Sequence, residues 1–63
     1  MAELYFKYKQ IPYLFDTRQL KLFQLSADDR VEIKNPEILR KVRLGAVEIN
    51  REHAFKLAFE CQN

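Results

Sequence analysis

Sixty-three residues, 48% apolar and 32% charged, with eleven Lys+Arg against nine Asp+Glu for a net charge of +2, describe one small domain spanning residues 1–63. The mix is too apolar for intrinsic disorder, and one Gly and two Pro exclude collagen-like and proline-rich classes. No stretch approaches the ~20 apolar residues of a membrane span, and the start Met1-Ala2-Glu3-Leu4-Tyr5-Phe6-Lys7 lacks the apolar run of a secretory signal.

Leu4, Phe6 and Tyr8 alternate with Tyr5, Lys7 and Lys9, the period of a half-buried strand over about 4–9. Pro12 has no N–H to give a ladder, so a strand break or a sheet edge is expected there. Tyr13-Leu14-Phe15 resumes as a strand over about 12–15. Asp16-Thr17-Arg18-Gln19 reads as a turn with Asp16 capping it. Leu20 to Leu25 then reads as a third strand, a helix over 17–25 being the competing assignment. After the polar loop Ser26-Ala27-Asp28-Asp29, Val31 and Ile33 around Glu32 mark a short strand over about 31–34.

Asn35-Pro36 is a helix start: Asn is a good N-cap, and Pro suits the first helical position, where its missing N–H costs nothing. A helix over about 36–44 follows, with Ile38, Leu39 and Val42 as its apolar stripe and Gly45 as a left-handed cap. A strand over 42–49 with a bulge at Gly45 is the alternative. Val47 and Ile49 flanking Glu48 look extended. Asn50 caps a second helix over about 51–61, on which Ala54, Phe55, Leu57, Ala58, Phe59 and Cys61 cover an apolar arc of about 200°. Strands followed by helices indicate an α+β fold with a small antiparallel sheet of three to four strands.

The inventory of reactive groups is thin. His53, Cys61, Ser26 and Thr17 are each the only residue of their type. On one helix His53 and Cys61 would stand about 12 Å apart, beyond reach of each other. Zinc wants four Cys, His or carboxylate ligands, and a calcium loop wants a Gly that the cluster Asp28, Asp29 and Glu32 lacks. Phosphate-cradling loops need several glycines, and Gly45 stands alone. The expectation is a non-enzymatic protein with no cofactor, no metal and no small-molecule substrate. A single cysteine permits no intrachain disulfide and suits the cytoplasm.

Binding is the remaining class. Lys34, Arg40, Lys41 and Arg43 face one acid, Glu37, in the segment 34–45, a local +3. Arg40 and Arg43 are i,i+3 neighbours, a spacing that suits phosphate oxygens. Tyr5, Lys7 and Lys9 on an outward strand face would add an aromatic and two ammonium groups for a nucleic-acid strand. A helix-turn-helix is disfavoured, because the connection after Gly45 is longer than the 3–4-residue turn that motif uses. A nucleic-acid-associated regulator is the first expectation.

A protein-interaction adaptor or inhibitor is the second. A chain this short buries only about 60% of its unfolded surface, so a homodimer or a tight protein partner is expected. Six of the eight aromatics lie before residue 24. Tyr5, Tyr8, Tyr13, Phe55 and Phe59 are the candidate anchors of such an interface.

Overall fold

Residues 3–60 are described by a computed structural model. The elements are β1 (Glu3–Tyr8), β2 (Ile11–Asp16), β3 (Lys21–Leu25), β4 (Arg30–Glu32), α1 (Pro36–Gly45), β5 (Val47–Ile49) and α2 (Arg51–Glu60). All strand pairs are antiparallel, in the order β4-β3-β2-β1-β5. The α+β arrangement and its antiparallel sheet are thus as expected. The sheet has five strands rather than three to four, because Val47–Ile49 folds back between the helices and pairs with β1, Tyr5 opposite Ile49. The third strand forms over Lys21–Leu25 in place of a helix, while Leu20, expected to open it, takes φ 56° and belongs to the turn before it.

Local chemistry explains most of the turns. Asp16 Oδ1 accepts the backbone N–H of Arg18 at 2.9 Å and of Gln19 at 3.2 Å, an Asx-type turn that reverses the chain into β3. Ser26 donates both its backbone N–H and its hydroxyl to the Asp29 carbonyl, each at 2.8 Å. Asn35 Oδ1 accepts the Glu37 N–H at 2.8 Å, and Pro36 opens α1 behind it. Asn50 does the same for His53 at 2.7 Å at the start of α2.

Three expectations need correction. β1 ends at Tyr8, because Lys9 and Gln10 both take positive φ (51° and 65°) and form a two-residue hairpin loop. Lys9 therefore leaves the face shared by Tyr5 and Lys7. Pro12 neither breaks a strand nor marks an edge: it is fully buried inside the central strand β2, opposite Lys7. Next to a two-residue loop the pair Tyr8–Ile11 is the hydrogen-bonded one, so at position 12 the ring nitrogen points away from β1. It points toward β3, whose ladder with β2 begins only at Tyr13. Gly45 is not a left-handed cap, since no described glycine has positive φ. The helix instead ends on extended Ala46, whose N–H reaches the Val42 carbonyl at 2.9 Å.

The two helices cover opposite faces of the sheet. Tyr13 and Leu14 are consecutive strand residues and so point to opposite faces. Tyr13 packs with Leu22 and Val42 of α1, with Tyr8, Phe15, Ile33, Leu39 and Ala46 around them. Leu14 packs with Leu25 and with Ala54 and Ala58 of α2, joined by Tyr5, Phe23 and Ile49. The chain thus divides its apolar residues between two thin cores. Ala54 and Ala58 are 0% exposed, and their small side chains let the α2 backbone lie close on the sheet.

Candidate functional site

The cations of residues 34–43 gather on and beside α1. Lys34 precedes the Asn35 cap, and Arg40, Lys41 and Arg43 lie on the helix; all four are exposed. At about 100° per residue, Arg40 and Arg43 share one flank, about 60° apart. Lys41 falls on the opposite flank, with half-buried Leu39 and buried Val42 between. The ion pair Arg30–Glu3, 3.6 Å long and partly exposed, involves none of these cations, and none of them has an ion-pair partner among the described residues.

The second basic patch expected from the sequence does not assemble. Tyr5 and Lys7 lie on the sheet face covered by α2. The Tyr5 ring meets Phe55 of that helix, centroid to centroid 6.1 Å, and Lys7 is half-buried. Lys9 sits in the hairpin loop with its Nζ 5.5 Å from the Tyr8 ring centroid.

The expected interface anchors also divide. Tyr13 is buried on the α1 side of the sheet and is a core residue rather than an exposed anchor. Burial, and secondarily the neighbouring Tyr8, push its phenol pKa above the ordinary value. Tyr8 is half-buried against α1. Phe55 is half-buried between Tyr5 and Arg51, whose guanidinium stands 5.5 Å from its ring. Phe59 is 64% exposed, one turn beyond Phe55. Only part of the wide apolar arc of α2 is therefore spent on the sheet.

Between α1 and the sheet runs an open groove of about 510 Å³, lined by Leu4, Phe6, Phe15, Leu22, Leu39, Val42, Ala46 and Arg43. Seven of these eight are apolar, so Arg43 is the single charged group on the lining. The walls come from three strands and a helix, brought together only by the β2–β1 and β2–β3 pairings. No spacing along the chain announces it.

His53 is exposed at the start of α2, where its backbone N–H serves the Asn50 cap. Cys61, the other half of the pair weighed from the sequence, lies outside the described residues. Among the described residues no group of three or more His, Cys, Asp or Glu is placed to hold a metal ion. No described helix is long and apolar enough to cross a membrane. No family model matches the chain, and neither curated proteins nor solved structures provide a match.

Proposed function

We propose that this chain is a non-catalytic binding module that docks on nucleic acid through the exposed cations of α1. The observation that carries the reading is the state of Lys34, Arg40, Lys41 and Arg43: exposed, close in sequence, and without an ion-pair partner among the described residues. Arg40 and Arg43 on one flank provide two planar donor sets for adjacent phosphates. Lys41 and Lys34 add charge around them. The two helices lie on opposite sheet faces, so they do not form a paired groove-reading unit, and contact goes through α1 alone. Regulation by occupancy of a nucleic-acid segment is the role this implies.

The test is a salt titration of binding to duplex and single-stranded DNA and RNA. Phosphate contacts release counterions, so log K should fall linearly with log salt. The double variant R40Q/R43Q should lower the magnitude of that slope by about 2, one unit for each lost contact. Absence of salt-dependent affinity at low ionic strength rejects the reading.

A second reading rests on Phe59. An aromatic 64% exposed next to the packed Tyr5–Phe55 pair suits a protein partner, a second copy of the chain included. Native mass measured over a range of concentrations, for the parent and for F59S, decides it. A dimer that F59S dissociates supports this reading; a monomer at every concentration, with no partner engaged through Phe59, removes the dimer.

A further inference from the structure

We infer that the groove between α1 and the sheet is a binding site for an amphipathic monoanion, a hydrocarbon or aromatic body bearing one carboxylate-class head group. The argument begins with its walls. Leu4, Phe6, Phe15 and Leu22 form an apolar floor on the sheet, and Leu39, Val42 and Ala46 close one side. The volume, about 510 Å³, falls in the range of ligand pockets, which are mostly apolar with a few polar groups that fix orientation. Leu4 at the groove is still 37% exposed, so the described residues leave apolar surface uncovered there. Water over such walls finds no side-chain partner except Arg43 and is readily displaced by an apolar group.

The head group follows from charge. Arg43 is the one cation on the lining and has no ion-pair partner among the described residues. A guanidinium beside low-dielectric walls attracts a carboxylate more strongly than one in open water, and it binds both oxygens at once. A neutral apolar ligand would leave that charge unanswered, and a cationic one would be repelled. A nucleobase fits less well, because its polar edges would meet walls without donors or acceptors. A second groove, lined by Glu3, Glu48 and Arg51 among others, has mixed charge and no comparable apolar floor, and carries no such ligand.

This inference does not rest on the nucleic-acid reading, although Arg43 belongs to both. Its test contains no nucleic acid, so the two fail separately. The ¹⁵N-labelled chain is titrated with dodecanoate below its micelle concentration and followed by amide chemical shifts, with dodecyltrimethylammonium as the cationic control. Saturable shifts are expected at Leu4, Phe15, Leu22 and Ala46, with spectral dispersion retained. R43Q should weaken dodecanoate binding about tenfold or more, the range for a lost charge-assisted bond, and R43K should recover part of it. Arg43 is exposed, so neither variant threatens the fold. Equal affinity for the cationic control, indifference to R43Q, shifts elsewhere, or collapse of dispersion would each overturn the proposal. So would a groove already covered by a second copy, seen as a doubled native mass with no shift at the lining residues.

Discussion

Gly45 lies against the ring of Tyr8: a Cβ at position 45 would stand 2.9 Å from Cε1 and 3.3 Å from Cδ1 of that tyrosine. The glycine is needed for space, since its φ is not positive. This contact joins the last turn of α1 to β1, whose ring lies in the cluster under that helix.

The contact predicts a substitution whose sign depends on its partner. In a helix, Gly→Ala ordinarily stabilises by about 1 kcal/mol. Here Gly45→Ala should instead destabilise, because the Tyr8 ring must move out of its packing. In a Tyr8→Ala background the same change should recover a gain of about 0.5–1 kcal/mol. Denaturant melts of the four chains measure the coupling. A Gly45→Ala gain that is the same in both backgrounds would show that the ring yields freely.

What the sequence could reveal is bounded by the range of its signals. Alternation in 4–8 correctly separates Leu4, Phe6 and Tyr8 from Tyr5 and Lys7, and Asn35-Pro36 marks the start of α1 to the residue. Alternation does not say which face a helix will cover. Both are covered in part, so the Tyr5–Lys7 face expected outside lies under α2. β5 is three residues long and finds its partner β1 some forty positions upstream, beyond any local periodicity. The same holds for Gly45, whose reason is Tyr8, and for the groove, whose lining is drawn from positions 4 to 46. The charge on α1 was legible because charge needs no tertiary partner to be seen.

Leu20 stores strain at the β2–β3 turn. Its φ is 56° and its side chain is 75% exposed, so a branched residue occupies the left-handed region without compensating burial. That conformation costs about 1–2 kcal/mol for an ordinary L-residue and less for Asn. Leu20→Asn keeps the backbone bond from N–H 20 to the Asp16 carbonyl, 2.8 Å long. It should raise stability by about 0.5–1 kcal/mol, read as a higher denaturant midpoint at unchanged slope. A loss of stability would mean that the exposed leucine makes a contact worth more than the strain.

The α2 side of the sheet distinguishes filling from covering. Ala58 is completely enclosed, so Ala58→Leu overpacks a closed contact and should cost about 1–3 kcal/mol or more. Phe55, on the apolar arc of the same helix, is half-buried between Tyr5 and Arg51. Phe55→Ala should therefore cost less than the roughly 3–5 kcal/mol of a fully enclosed phenylalanine. Thermal or denaturant melts rank the two variants against Leu57→Ala, a buried leucine on the same helix. If Phe55→Ala proves the most damaging of the three, the Tyr5–Phe55 contact carries the attachment of α2.

Tyr13 should make stability fall at alkaline pH. Burial first and Tyr8 second hold its phenol above the ordinary value, which is about 10 in an unfolded chain. Below that pH both states keep the proton and the stabilisation is fully present. Above it the unfolded chain loses the proton while the folded chain retains it. Stability then declines by at most about 1.4 kcal/mol per pH unit until the folded-state pKa is passed. Lysines and the other tyrosines titrate in the same window, so the measurement is the difference between the parent and Tyr13→Phe. Phenylalanine keeps the ring packed against Leu22 and Val42 and has no proton to lose. The variant should gain on the parent steadily as pH rises past 10. A gap that stays constant would mean that the ionised phenol reaches water in the folded chain as easily as in the unfolded one, and that the cluster under α1 does not exclude solvent from the end of this ring.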